Sequence, residues 1–500
     1  MGRSSGSFAK VAFTVLACVG FVVSVVVVDQ AALARTTEAD HARGGGGKTP
    51  DQELAEKLEK REKKIAMRLD ALARARAAGV DGQVRPAAAP APAGWVGEQP
   101  LDTTADDWEP AIAADPNAPW VYALVTRYAA AKPCPGNCPT PWISLEISAD
   151  GGATWSEGKP LCACKGSGQF DPIIEVVPSN GHVYALYMNG FNVLFVKSTN
   201  HGATFSAPVK TFGNVSWNDK PVLAVSDDGR DVYVTFNGPT GGDPWLAQSH
   251  DSGATWTQRK LAENNRYYFA FDADVAPDGT VYLGQSAILY GGGGNKGTTP
   301  TAPIDEHVFI STDRGATFTD RLVTSVQPGP ACDAEGCSPD FYLGHHAVTV
   351  DATGRVVLLY DGATTAGGPQ RIEARRSTDR GATWSTPVVL SKVGENATSP
   401  AAESRGSGDV RAWWMETNGG NDDRWNVWYR RSSDGGATWS AAVKLSDAGG
   451  GAAYKTPDGF HELYGDYGEM AITNTGKTIA IWGEGFSWSG PGSAWFNREP

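Results

Sequence analysis

The octapeptide SADGGATW at residues 148–155 decides the fold, because it recurs along the chain. Its other copies are STNHGATF (198–205), SHDSGATW (249–256), STDRGATF (311–318), STDRGATW (377–384) and SSDGGATW (432–439). Each copy follows an apolar-alternating run and precedes another short strand, which predicts a β-hairpin turn. In such a turn the Asp carboxylate accepts backbone N–H bonds, the Gly supplies a left-handed backbone and the aromatic residue packs between sheets.

The number of copies of a second repeat predicts the number of sheets. This repeat consists of an apolar strand, a turn and a second apolar strand, at 109–125, 171–187, 220–236, 273–285, 347–360, in a degenerate copy around 408–415, and at 469–482. The C-terminal copy lacks an outer strand, whereas VGEQPLD at 96–102 resembles the strand that follows each octapeptide. We therefore expect an all-β ring of seven blades, with six as the alternative, closed by residues 96–102.

The octapeptide resembles the Asp box of the sialidase-like, or BNR-repeat, β-propellers, and the resemblance covers residues 95–500. It implies box turns on the face away from the active site. It also implies an Arg triad for a substrate carboxylate, a Tyr nucleophile paired with Glu, and an Asp acid/base. The family's Arg-Ile-Pro motif at the first inner strand is absent here, and Glu109-Pro110 occupies its place.

The segments that lead into the inner strands are expected to share the face opposite the boxes. Nearly every one has a carboxylate beside an aromatic residue, which suits a carbohydrate ligand. By the resemblance, the catalytic candidates are Tyr467 as nucleophile, Glu403 as its partner and Asp171 or Asp107 as the acid. The substrate-binding candidates are Arg266, Arg405, Trp108, Trp217, Asp219, Tyr464 and His345. The alternative is that such residues cap turns and line a wet channel.

These residues favour an exported carbohydrate-active or glycan-binding propeller, with a sialidase-like exo-glycosidase or a polysaccharide lyase as its enzymatic forms. The alternative is a non-catalytic surface propeller for ligand binding or assembly. The net charge of −13 argues against a nucleic-acid partner. No metal site is predicted; acid-rich loops would suit Ca²⁺, but no EF-hand spacing supports it.

The N-terminal part divides into two segments. Residues 1–34 resemble a signal peptide, with a retained membrane anchor as the alternative, and predict a secreted or cell-surface protein. Residues 35–94 contain linkers and a helix predicted over 51–78, whose apolar stripe is Leu54, Leu58, Ile65, Leu69 and Leu72. We expect a solvated stalk, with weak coiled-coil self-association as an alternative.

If the protein is exported, its cysteines are expected to form disulfides. Apart from Cys18 there are six, which are Cys134, Cys138, Cys162, Cys164, Cys332 and Cys337. An even number in an oxidising compartment predicts disulfides, and sequence proximity favours a Cys332–Cys337 pair. A zinc site is the alternative, although no spacing here is a standard zinc spacing.

Overall fold

The structure is a computed structural model of the chain. It describes residues 48–77, 90–103, 105–128, 138–162, 168–290, 300–330, 344–417, 425–446, 455–456, 459–460, 468–485 and 492–500. The N-terminal segment 1–34 and the candidates Tyr464 and Tyr467 lie outside these residues. Within the described part of the chain, no helix is both long enough and apolar enough to cross a membrane.

The described residues form thirty-one strands and two helices. In chain order the strands are β1 (Gln99–Pro100), β2 (Asp106–Ala114), β3 (Val121–Tyr128), β4 (Trp142–Ser148), β5 (Lys159–Pro160), β6 (Gln169–Val176), β7 (Val183–Asn189), β8 (Val193–Ser198), β9 (Val209–Lys210), β10 (Asp219–Val225), β11 (Val232–Gly238), β12 (Asp243–Ser249), β13 (Thr257–Lys260), β14 (Tyr267–Phe269), β15 (Ala273–Val275), β16 (Val281–Ile288), β17 (Ile304–Ser311), β18 (Thr319–Val326), β19 (His346–Val350), β20 (Val356–Ala363), β21 (Gln370–Ser377), β22 (Val388–Val389), β23 (Ala397–Arg405), β24 (Asp409–Thr417), β25 (Trp425–Ser432), β26 (Val443–Lys444), β27 (Lys455–Thr456), β28 (Gly459–Phe460), β29 (Glu469–Ile472), β30 (Thr478–Gly485) and β31 (Gly492–Arg498). The helices are α1 (Pro50–Ala77) and α2 (Pro239–Gly242).

The strands build a seven-bladed β-propeller from the described residues, with six sheets of four strands and one of five. Blades 1 to 3 are β2 to β5, β6 to β9 and β10 to β13; blade 4 is β14 to β18; blades 5 and 6 are β19 to β22 and β23 to β26. Blade 7 is β29 to β31 completed by β1, and β27 and β28 pair separately. Apolar side chains fill the space between neighbouring blades, as Tyr122, Leu145, Ile174 and Val196 do between blades 1 and 2.

The N-terminal strand closes the ring. Gln99 and Pro100 of β1 pair antiparallel with Phe496 and Trp495 of β31. Just outside the pair, the N–H of Leu101 donates to the carbonyl oxygen of Ala494 at 2.7 Å. The predictions of seven blades and of closure by residues 96–102 are therefore confirmed.

The six octapeptides form turns between the last two strands of blades 1 to 6. In the third copy, Asp251 Oδ1 accepts the N–H of Thr255 at 2.8 Å, and Oδ2 accepts its hydroxyl at 2.6 Å. These hydrogen bonds lower the pKa of Asp251 to about 2. Gly253 has a φ of +79°, and a Cβ there would collide with the ring of Phe195. These turns and the turns between first and second strands share one side of the ring, here called the box face, as the bond from Gly151 N to Pro119 O shows.

Helix α1 has the predicted bounds within one residue, but the expectation of a solvated stalk is wrong for its described side chains. Glu53 and Leu72 are buried, and Ile65 and Leu69 pack against the apolar core of the propeller. Leu58, which belongs to the predicted apolar stripe, is 40% exposed instead. The helix therefore packs on the propeller, on the side opposite the box face.

Candidate functional site

A groove runs across the start of blades 1, 2 and 3 on the side opposite the box face. Four buried aromatic rings line it, from Trp108, Phe170, Phe191 and Trp217. Three carboxylates accompany them, from Glu109, Asp171 and Asp219. These seven residues are called the groove below. They include four of the predicted site residues, which are Trp108, Asp171, Trp217 and Asp219, and the structure brings these four together.

A bulge in each inner strand places the charged side chains of the groove. Glu109, Asp171 and Lys220 have φ values of 54°, 47° and 49°, and each is followed by a proline. The register of β2, β6 and β10 shifts at these positions. A positive φ is uncommon for residues other than glycine, and a bulge re-aims a side chain and is frequent beside active sites. The same bulge occurs in blade 6 at Ser399, so it is a repeated feature of the inner strands, and in blades 1 to 3 it sets the positions of the groove side chains.

Glu109 and Asp171 form the acidic centre of the groove and are 7% and 5% exposed. Glu109 Oε2 accepts the hydroxyl of Thr126 at 2.7 Å and the N–H of Asp171 at 3.1 Å, which joins blades 1 and 2. Burial raises the pKa of Asp171 well above its usual range, and Glu109 raises it further. Lys220 and Arg61 oppose this rise without cancelling it. Asp171 is therefore disposed to carry a proton beside an acceptor carboxylate, which is the arrangement that acid–base catalysis needs.

Helix α1 lies in the groove and meets its rings with charged side chains. Lys57 forms an ion pair with Asp219, and its Nζ lies 4.4 Å from the centre of the Trp217 ring. Arg61 lies over Phe170 at 4.0 Å and over Phe191 at 3.6 Å.

Two further side chains of α1, Glu53 and Lys64, contact the groove on either side of Lys57 and Arg61. Glu53 Oε2 accepts the indole N–H of Trp217 at 3.1 Å and the N–H of Thr240 at 3.1 Å. Lys64 Nζ lies 5.1 Å from the centre of the Trp108 ring. Charged side chains of α1 thus contact all four aromatic rings of the groove, two of which, Trp108 and Phe170, also belong to the apolar core.

Asp107, the other predicted acid, belongs to a buried ion-pair network below the groove. Its carboxylate accepts two hydrogen bonds from Arg127, at 2.8 and 2.7 Å. Arg127 also pairs with Glu146 at 2.9 Å and lies 3.4 Å from Asp102. Burial raises the pKa of Asp107, and it raises the pKa of Glu146 to about 7. This geometry gives Asp107 a structural role in blade 1.

His345 lies in a second buried cluster, between blades 5 and 6. Its Nδ1 is 3.3 Å from Asp361 Oδ2 and 3.3 Å from Thr398 Oγ1, and its ring is 2% exposed with the rest of the residue. The adjacent His346 contacts a different residue, since its Nδ1 lies 2.9 Å from Ser286 Oγ. Burial lowers the pKa of His346 to about 4, so its ring is neutral. Because both rings are enclosed, this cluster holds blades together rather than presenting a base to a ligand.

A cavity of about 310 Å³ runs along the ring axis and is lined by the inner strands. Its carboxylates are Glu175, Asp227, Asp272, Asp274, Glu403 and Glu469. Several bond to the neighbouring blade: Glu469 Oε2 accepts the N–H of Ile112 at 2.8 Å, and Asp272 Oδ2 accepts the N–H of Val348 at 2.9 Å. Burial raises the pKa of Asp274 to about 7 and that of Glu403 to about 8. Asp272, Asp274 and Glu469 thus each accept a backbone N–H of the neighbouring blade, which agrees with the alternative that repeated acids line a channel.

Three predicted site residues lie away from the groove. Glu403 lies within β23 and lines the channel, so its placement at the start of an inner strand is wrong. Arg405 ends the same strand at the box face, where it donates to the carbonyl oxygens of Thr473 and Asn474. Arg266 does start blade 4, but it pairs with Asp305 at 2.8 Å and donates to the carbonyl oxygen of Ala287. These two arginines do not converge on one ligand carboxylate.

The remaining predictions concern metals, cysteines and the tyrosines. In the part of the chain that the structure describes, no group of three or more His, Cys, Asp or Glu side chains is arranged to hold a metal ion. Calcium therefore stays an untested prediction. Cys138 and Cys162 lie among the described residues. Their pairing stays a prediction, because the other four candidates, like Tyr464 and Tyr467, lie outside the described residues.

Sequence reasoning missed two parts of the groove. Phe191 lies in the turn between β7 and β8, which no motif marks. The basic side chains Lys57, Arg61 and Lys64 follow at helical spacing and could have been recognised as one face. Glu109 was noticed only as a departure from Arg-Ile-Pro, although its X-Pro step recurs in blades 2 and 3.

The chain was compared with known proteins, and no family model matches it. A xyloglucanase of a Paenibacillus species is 24% identical over 267 residues, which are 50% of this chain and 23% of that protein. This chain thus spans less than a quarter of that curated relative.

Similar solved structures include three proteins. An ulvan lyase bound to -[GlcA(1-4)Rha3S]- has a TM-score of 0.47 and 11% identity, over 81% of this chain and 95% of that chain. A Dyadobacter fermentans protein of unknown function has a TM-score of 0.45 and 15% identity, over 81% and 98%. A Trypanosoma rangeli sialidase mutant with trans-sialidase activity has a TM-score of 0.39 and 14% identity, over 69% and 56%. Likenesses this low say nothing about what this chain binds.

Proposed function

We propose that this protein is a carbohydrate-active propeller whose substrate site is the groove. The observation that carries the proposal is the composition of the groove: four aromatic rings and three carboxylates, against which α1 places the charged side chains of Lys57, Arg61 and Lys64. Aromatic faces stack on sugar rings, and carboxylates accept hydrogen bonds from hydroxyl groups. The likeness to a xyloglucanase over half of this chain supports a polysaccharide as the ligand.

The chemistry assigned to the groove is glycosidic bond cleavage. Asp171 would donate its proton to the leaving oxygen, since its raised pKa favours the protonated form. Glu109, on the neighbouring blade, would accept a proton from a water molecule whose oxygen bonds to the anomeric carbon while the bond to the leaving oxygen breaks. The carboxylates favour a neutral sugar over an anionic one, since a uronate or sialate would meet like charge.

The preference for a neutral sugar distinguishes the proposed activity from that of a sialidase. Arg266 and Arg405 do not form a carboxylate clamp, so a sialic acid has no assigned partner among the described residues. Export to the cell surface or medium remains part of the proposal. It is supported by the sequence of residues 1–34 and by the even number of cysteines that follow.

Asp171→Asn is expected to lower kcat/KM for polysaccharide cleavage about 100-fold or more, because general acid catalysis contributes roughly that factor. Reducing-sugar release by the full chain is measured on xyloglucan, on other neutral polysaccharides and on uronic acid polysaccharides. Asp320→Asn is the matched control, because Asp320 is 45% exposed on the outer strand of blade 4.

Two outcomes would contradict the enzymatic proposal. Equal cleavage by Asp171→Asn and the wild-type chain would remove Asp171 from the mechanism. Retention on a neutral polysaccharide without any cleavage would favour the non-catalytic ligand-binding propeller. A specific observation favours this second candidate, because helix α1 is already held in the groove by non-covalent contacts such as the Lys57–Asp219 ion pair.

A further inference from the structure

Helix α1 presents one charged face to the groove. Glu53, Lys57, Arg61 and Lys64 follow at steps of four, four and three residues, which places them on one side of a helix. All four are buried or half-buried, whereas Lys63 on another side has a side chain that is 74% exposed. The face that meets the groove is therefore defined by charge rather than by apolar residues.

Every contact on this face uses a group that a ligand would need. Lys57 and Arg61 cover the ring faces of Trp217, Phe191 and Phe170 on which a sugar would stack. Lys57 also forms an ion pair with the carboxylate of Asp219. A second ligand cannot reach these ring faces while α1 is seated.

The seat of α1 is suited to reversible release. Its charged half is held by an ion pair, hydrogen bonds and cation–π contacts of half-buried side chains, each of which contributes little by itself. Its other half packs Ile65 and Leu69 against the apolar core. The helix joins no sheet of the ring: β1 to β31 pair only with one another. The propeller is therefore closed by its own strands, and α1 can leave without breaking a blade.

We propose that α1 is a built-in ligand of the groove that competes with carbohydrate, so that displacement of α1 opens the site. The proposal rests on the proposed function for the identity of the competing ligand. The interaction surface is the groove, and the partner it fits is a helix with a basic face. Conditions that weaken the contact, such as raised salt, shift the population towards the open groove.

The test uses the full chain in three forms: wild type, Lys57→Glu/Arg61→Glu, and the control Lys63→Glu/Arg74→Glu. Both double variants change the net charge equally, and the control residues have side chains that are 74% and 68% exposed. Amide hydrogen exchange of residues 50–77 is expected to be at least tenfold faster in the first variant than in the control. Affinity electrophoresis in neutral polysaccharide gels is expected to show at least tenfold tighter binding by the first variant.

The outcomes separate this inference from the proposed function. Faster exchange with equal polysaccharide affinity in all three chains overturns the competition and leaves the proposed function standing. Exchange that is equal in the three chains overturns the claim that the groove holds α1 through this face.

A further probe, a labelled synthetic peptide of residues 48–77, is added to the Lys57→Glu/Arg61→Glu chain. Saturable, salt-sensitive binding of the peptide supports α1 as the ligand of the groove. If it binds while none of the three chains binds any polysaccharide, the proposed function fails and the helix–groove interaction stands. If the peptide does not bind, the inference fails.

Discussion

Arg127→Met is expected to lower the free energy of unfolding by about 3–5 kcal/mol, the usual cost of removing one partner from a buried ion pair. The side chains of Asp107 and Glu146 are 0% and 2% exposed, and both depend on Arg127. Without the guanidinium, each carboxylate would be buried without a compensating charge. The loss should be smaller at pH 5 than at pH 8, because protonation neutralises Glu146, whose pKa burial already raises to about 7.

Chemical denaturation of the full chain at both pH values measures this loss. Arg380→Met is the matched control, since Arg380 pairs with Asp278 at 2.7 Å with a side chain that is 62% exposed. A surface pair of this kind contributes about 0–1 kcal/mol. A loss for Arg127→Met no larger than that of the control would show that the blade 1 network is not needed for the fold.

Glu403→Gln is expected to stabilise the protein at high pH. Burial raises the pKa of Glu403 in the folded state to about 8. The folded chain therefore keeps a proton that the unfolded chain loses near its ordinary pKa of about 4.3, and stability falls as pH rises between the two. The variant removes this dependence, and its advantage over wild type should grow by an amount on the order of 3 kcal/mol from pH 5 to pH 9.

Unfolding free energies at pH 5, 7 and 9 test this prediction, with the exposed Glu157→Gln as the control. The stability of the control should follow that of the wild-type chain at each pH. An advantage of Glu403→Gln that does not change with pH would mean that Glu403 is ionised throughout and that the channel does not perturb it.

The blade count could be predicted because it rests on local chemistry. In each box the Asp, or Asn200 in the second copy, binds the backbone of its own turn and the left-handed Gly is local, so the octapeptide identifies a turn without distant contacts. Only the aromatic ring needs a partner elsewhere, as Trp155 has in Phe496. Closure by residues 96–102 was also predictable, since a ring whose C-terminal blade lacks a strand must take one from elsewhere. The pairing of Gln99 with Phe496 confirms it.

The seat of α1 could not be predicted from apolar periodicity. Leu54 and Leu58 form the expected stripe, but Leu58 is 40% exposed, because the groove beneath this half of the helix is acidic and aromatic. The basic side chains of Lys57 and Arg61 complement such a surface. The periodicity of apolar residues does not predict a contact made by charged side chains. The charged stripe becomes meaningful only when the groove that receives it is known.

The misplacement of Glu403 and Arg405 has a different cause. In blade 6 the inner strand is Ala397–Arg405, with a shift in register after Thr398. The bulge at Ser399-Pro400 breaks the alternation that would identify a strand, so the sequence pattern favoured the next strand, Asp409–Thr417, as part of the inner repeat. The recurring X-Pro step, which blades 1, 2 and 3 share, is the signal that would have placed it correctly.

The central claim is that the groove is the ligand site and that α1 occupies it in the free chain. Amide hydrogen exchange of the full chain, with and without a saturating neutral polysaccharide fragment, tests both parts in one measurement. We expect slower exchange at residues 105–109, 168–172 and 215–221 and faster exchange at residues 50–77 when the fragment binds. Protection confined to the box face, or to the histidine cluster between blades 5 and 6, would contradict it.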